Sequence, residues 1–254
     1  MKIVCIKAKH ITTIISLALV MVLLMIATTA SKSTSVYFGY AERKVPIYSV
    51  QTEQKKVAIT FDAAWGSDKT SKIVEICKEN GIEATFFLVG FWVEKNADKV
   101  KEIDAAGFDI GTHSNSHPKM STLSAKAVMQ ELSTSCDLIS NITGKQVKFF
   151  RPPFGDYNNQ LLEIASSMNL MTIQWDTDTL DWKGLSAEQI LTRVKASVTN
   201  GSIILCHNNS DHILEALPLM INYLKDQGYQ MVKLSDLVYD SDYTINNNGK
   251  QIKK

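Results

Sequence analysis

Five strand-like stretches of this sequence end in side chains that could carry out hydrolysis. In "ITFDAAWG" (59–66) an apolar run delivers one carboxylate, Asp62, which could take a proton from water. In "GTHSNSHP" (111–118) two histidines, His113 and His117, stand four apart. Neutral imidazoles at that spacing can chelate one ion, and Pro118 biases His117 away from helix, toward a loop. In "FFRPPFG" (149–155) Arg151 sits beside a stiff diproline turn. It could orient Asp62 and hold its carboxyl ionised, or form a purely structural salt bridge. The same turn exposes backbone N–H groups, such as that of Phe154, that could stabilise an oxyanion. "IILCHN" (203–208) ends an apolar strand in His207, and "DTDTLDW" (176–182) supplies Asp178 and Asp181. A carboxylate on one ring nitrogen favours the cationic imidazole, a good proton donor near neutrality. Asp178 can equally cap the helix that follows.

Such groups need a scaffold that gathers strand ends. From Pro46 onward, strand-like apolar runs alternate with helix-like segments. Strands are expected over 56–61, 84–90, 108–113, 147–151, 171–178, 202–207 and 229–234. Helices are expected over 68–80, 94–106, 124–143, 158–168, 186–198 and 211–227. Ser124 is the expected N-cap of the longest helix and Gly144 its stop. Alternation of this kind implies parallel strands joined by crossovers. The expected fold is α/β, a distorted or incomplete (β/α) barrel over 46–240, with an open doubly wound sheet as the alternative. In either, chemistry collects at the C-terminal ends of the strands, where the five stretches place it.

The chain has 254 residues, 45% hydrophobic and 21% charged, with net charge +1. That balance suits one sizeable core and argues against a nucleic-acid partner. Residues 11–30, "ITTIISLALVMVLLMIATTA", contain no charge and follow Lys2, Lys7 and Lys9. As a helix of ~1.5 Å rise per residue the run would be about 30 Å long, roughly a bilayer core. The preceding lysines would hold its N-terminal end in the cytoplasm and put the remainder outside. A cleaved signal peptide, with Thr28 and Ala30 near the cut, is the competing reading. The expected organisation is a cytoplasmic tail and anchor or signal over 1–30, a stalk over 31–45, the barrel over 46–240 and a flexible polar tail over 241–254. Of the cysteines, Cys5 falls in the cytoplasmic tail. Cys77, Cys136 and Cys206 lack zinc-cluster spacing, although an exported chain could join Cys77 to Cys136.

Taken in order, "TFDAAW", "HSNSH", "RPPFG", "DTLDW" and "LCH" resemble the five motifs of the polysaccharide deacetylase family, the NodB-homology domain of carbohydrate esterase family 4. The anchor, stalk and "ITFDAAWG" look most like its sporulation-associated, membrane-anchored branch. The resemblance implies metal-dependent removal of an N-acetyl group from an amino sugar of peptidoglycan or a related wall glycan. It implies that His113 and His117 bind a divalent ion, zinc being the expected one. Asp62 would be the base, Arg151 its orienting partner, and the Phe154 amide an oxyanion donor. His207 would be the acid, tuned by Asp181, with Trp182 and Leu205 walling the acetyl pocket.

One position departs from the family's pattern. Where the first motif usually reads TFDD, Ala63 replaces the second Asp, the implied third metal ligand. A methyl group cannot coordinate an ion, so any metal would be weakly held; Asp68, on the same loop, is the nearest substitute carboxylate. A second function class therefore stands beside the enzyme: a glycan-binding or structural wall protein that keeps the fold with little catalysis.

Overall fold

The computed structural model describes residues 8–30 and 43–254. The expected cytoplasmic tail and most of the stalk, residues 1–7 and 31–42, lie outside the described residues. Helix α1 spans Ala8–Ala30. Several of its side chains are also outside the described set, while Leu17, Leu19 and Leu23 are exposed. Among the described residues no helix is long and apolar enough to cross a membrane.

Residues 44–254 form a separate compact unit. Its strands are β1 (Ser49–Val50), β2 (Lys56–Ala63), β3 (Thr85–Leu88), β4 (Asp109–Thr112), β5 (Phe149–Phe150), β6 (Met171–Thr172), β7 (Thr177–Asp178), β8 (Ile203–His207), β9 (Gln230–Met231), β10 (Tyr243–Ile245) and β11 (Lys250–Lys253). The helices between them are α2 (Thr70–Glu79), α3 (Gly90–Lys95), α4 (Ala97–Ala105), α5 (Ala125–Thr143), α6 (Asn159–Ser167), α7 (Ala187–Ser197) and α8 (Ile213–Asp226). The main sheet runs β6-β5-β4-β3-β2-β8-β7, with every pairing parallel, and β9 adds to the start of β2. Strand β2 sits at its centre and is buried on both faces, as a parallel strand covered on both sides must be.

The single strand expected over 171–178 is split. Its first part, β6, is one edge of the sheet, and its last part, β7, is the other. Between them Ile173 bridges to Ile47, and the Asp176 carboxylate accepts from Ser202 Oγ and Ile203 N. Five Cα steps join Thr172 to Thr177, so the edges face each other across at most about 18 Å. The sheet is therefore curled into an incomplete barrel, and the doubly wound alternative is excluded. One apolar layer, with Ile59, Phe61, Phe86, Leu88 and Ile221, lies between sheet and helices. A second, with Ala58, Phe87, Phe149, Ile173 and Ile203, forms another core cluster.

Two further expectations are corrected. The helix expected over 94–106 is two helices, α3 and α4, hinged at Asn96, whose backbone leaves the helical region (φ −134°, ψ 44°). The segment 241–254, expected as a flexible tail, carries regular structure: β10 and β11 form an antiparallel hairpin, and β11 pairs in parallel with β1. Its turn is built from polar residues, with Asn246 Oδ1 accepting from Asn248 N and Lys250 N and Gly249 in the left-handed region. Gln251, fully buried, exchanges hydrogen bonds with the Tyr239 backbone. Polar turn chemistry read as disorder in the sequence. The α5 caps are as expected: Ser124 Oγ accepts from Ala127 N, and Gly144 closes the helix at φ 69°.

Candidate active site

Alternation along β2 separates two sets of side chains. Val57, Ile59, Phe61 and Ala63 belong to the layer under the helices, while Thr60 and Asp62 take the opposite face. On that face Arg151, fully buried, donates from Nη1 to Asp62 Oδ1 (2.8 Å) and Thr60 Oγ1 (2.8 Å), and from Nη2 to Gln174 O (3.1 Å). Thr60 Oγ1 in turn donates to Ile204 O at 2.7 Å. The guanidinium also lies 4.1 Å from the Phe87 ring centre, a cation–π contact. Gly111 makes room for that ring: a Cβ there would meet Phe87 at 2.7 Å and Phe149 O at 2.9 Å. Burial alone would raise the Asp62 pKa; the charge of Arg151 foremost, with its hydrogen bond, outweighs it and holds the carboxyl below its ordinary value.

His113 follows β4 directly. Its Nδ1 lies 2.7 Å from Arg151 O, and a carbonyl can only accept, so Nδ1 carries the proton. Burial lowers the His113 pKa, leaving Nε2 as a bare lone pair 3.5 Å from Asp62 Oδ2. The HSNSH loop brings His117 back beside it through left-handed backbone at Ser114 (φ 69°) and His117 (φ 60°), with ring centres 4.9 Å apart. Burial and the neighbouring His113 push the His117 pKa down to about 4. Glu131 on α5 holds this loop, accepting from Asn115 N (2.9 Å), Ser116 N (2.8 Å) and Ser116 Oγ (2.6 Å).

His207 ends β8 directly beside Asp62, its partner in the β2–β8 register. Asp181 binds it twice: Oδ1 accepts from the His207 ring Nδ1 and Oδ2 from the His207 backbone N–H, both at 2.8 Å. Burial works against the His207 cation, but the hydrogen bond and charge of Asp181 prevail and raise its pKa. Asp178, the other candidate, caps a turn by accepting from Leu180 N. Leu205, buried, lies two residues before His207 on the same face and pairs with Thr60. Trp182 is 59% exposed and Phe154 62% exposed. Asp68 is exposed.

The donors suit a divalent cation in kind. His113 Nε2 and Asp62 Oδ2 are two acceptors facing each other, and His117 Nδ1 is buried without a partner. In number they fall short: among the described residues no group of three His, Cys, Asp or Glu side chains converges as a metal site. Ala63, fully buried in the apolar layer, contributes only a methyl. The residues present do not complete the three-ligand set of a resident zinc site. Cys77, Cys136 and Cys206 are free thiols, so the Cys77–Cys136 disulfide is not formed.

Sequence reasoning missed Thr60, Phe87, Glu131 and Gln174. Thr60 opens the TFDAAW stretch, whereas Phe87, Glu131 and Gln174 lie outside the five motifs, and each acts through a neighbour that only folding supplies.

Comparison with known proteins bears on this geometry. The family described as polysaccharide deacetylase matches residues 49–173. The chain is 33% identical to a peptidoglycan-N-acetylglucosamine deacetylase of Bacillus cereus over 80% of its own length and 76% of the relative's. It is 33% identical to the uncharacterized protein YlxY of Bacillus subtilis, covering 76% of this chain but only 60% of YlxY. Among solved structures, wild-type BA3943 of Bacillus anthracis, a CE4 family pseudoenzyme, superposes with a TM-score of 0.75 at 36% identity over 78% of this chain and 71% of its own. A BA3943 mutant with restored enzymatic activity superposes with a TM-score of 0.74 at 37% identity, over 77% and 72%.

Proposed function

Because the chain belongs to the polysaccharide deacetylase family, we propose that it removes N-acetyl groups from amino sugars of peptidoglycan or a related cell-wall glycan. The observation that carries this reading is the pairing of Asp62 with His207 on adjacent strands, each held by an oppositely charged or carboxylate partner. Asp62, kept ionised by Arg151, takes a proton as water adds to the acetyl carbonyl. His207, held cationic by Asp181, gives a proton to the amine as the C–N bond breaks, leaving acetate and a free amino sugar. The Phe154 amide is the proposed oxyanion donor, and Trp182 and Leu205 the walls around the acetyl methyl. His113 and His117 would hold a divalent ion, zinc foremost, and hold it weakly for want of a third ligand.

We place the barrel outside the cytoplasm, anchored through the charge-free N-terminal run or released after its cleavage. The charge-free run and the lysines before it support this; a C-terminal reporter active only in the cytoplasm would overturn it. The anchor, stalk and "ITFDAAWG" support a place in the sporulation-associated branch, which expression confined to vegetative growth would refute.

The test of the activity is incubation of the full chain with acetylated peptidoglycan and with chito-oligosaccharides, with and without divalent metals, measuring acetate. No acetate under any condition would sink the deacetylase reading. The second reading, glycan binding without turnover, is favoured by Ala63 and by the likeness to the pseudoenzyme BA3943. Retained glycan binding with no acetate would establish it.

A further inference from the structure

A strip of aromatic rings runs along the mouth of the site. Phe91 and Trp65 lie 6.3 Å apart between ring centres, Trp65 and His117 4.9 Å, and His117 and Phe154 4.6 Å. His117 is thus clasped edge-on between two rings that leave most of their own surface to solvent: Trp65 is 58% exposed, and Phe154 is exposed as well. Large aromatic rings normally contribute their area to a core, and Trp92 on α3 does so. Trp65 does not, although its loop is fixed: Gly66 O accepts from Trp92 Nε1 (2.6 Å) and Asn208 Nδ2 (2.9 Å). Phe154 holds a left-handed backbone, φ 61°, a costly conformation for a bulky side chain. Two anchored, outward-facing rings on either side of a site imidazole form a built surface.

We propose that Trp65 and Phe154, with Phe91 at one end, form a stacking platform for successive pyranose rings of the amino-sugar chain, next to the ring whose acetyl group enters the site. The proposal rests on the glycan reading above and deepens it. A pyranose presents an apolar face of C–H bonds, which lies well against the electron-rich face of an aromatic ring. Hydroxyls at its rim need donors and acceptors, and the Trp65 indole N–H has no acceptor within the protein among the described residues. The strip joins the reaction site through His117, whose ring lies 4.9 Å from that of His113 beside Asp62. A protein or membrane partner gains nothing from that continuity.

The experiment measures binding of a chito-oligosaccharide to the full chain by calorimetry, beside acetate release from the same samples. Trp65→Ala should weaken binding about tenfold with an unchanged melting temperature, and Trp65→Phe should keep most of the affinity. Wild-type affinity in Trp65→Ala, or no binding by the wild-type protein, would overturn the platform. If binding weakens as expected while neither protein releases acetate, the platform stands and the deacetylase reading falls.

Discussion

Replacing Arg151 by Met removes a buried guanidinium while keeping much of its bulk, and its effect can be worked out from the contacts. The variant loses the bonds to Asp62, Thr60 and Gln174 and leaves the Asp62 carboxylate without its strongest partner. Breaking a buried ion pair by removing one member costs about 3–5 kcal/mol. For a domain of this size that corresponds to a melting temperature lower by about 6–20 °C at neutral pH. The pH dependence gives the sharper test. In the wild type the Asp62 pKa is depressed, so its stabilisation is present above the unfolded carboxylate value and is lost as pH falls through the folded one. Without Arg151, burial becomes the dominant influence and raises the pKa, so the buried charge destabilises at neutral pH and is relieved as pH falls. The gap between the two melting curves should narrow from about pH 7 to about pH 4.5. Adding Asp62→Asn to Arg151→Met should recover part of the loss at neutral pH, because no unpaired charge then remains. Thermal unfolding followed by circular dichroism checks both points. A gap independent of pH, or a double variant no more stable than Arg151→Met, would refute the view that Arg151 serves to hold Asp62 ionised.

Two other outcomes follow from the same site. Ala63→Asp places an unpaired carboxylate in a buried apolar layer and should cost about 3–5 kcal/mol without metal; if it turns toward the imidazoles, zinc should then raise its melting temperature more than that of the wild type, and an equal rise would show that position 63 does not face the ion. His207→Ala should lower acetate release by about 10²–10⁴-fold with folding intact; the wild-type rate should also fall as pH rises through the raised His207 pKa, a limb absent from the variant, and full activity in His207→Ala would remove it from the mechanism.

The sequence by itself determined the strand ends and what they carry. Asp62, His113, Arg151 and His207 lie within or directly after strands whose apolar runs are legible, and parallel crossovers oblige such ends to gather on one rim. Local chemistry was legible too, as in the Ser124 and Gly144 caps of α5. Tertiary structure decided what depends on partners distant in the chain. Residue types alone left Asp178 and Asp181 open and the family resemblance named Asp181; the fold supplies the contact itself, with both Asp181 carboxylate oxygens on His207. It split the strand expected over 171–178, because a ladder exists on either side of residues 173–176 and not along them. It made a paired hairpin of the polar tail, and it set Ala63 in the layer under the helices, the opposite face from Asp62. A residue's type and near neighbours fix what it can do, whereas the face it presents and the group it meets depend on register and closure, which only the folded chain supplies.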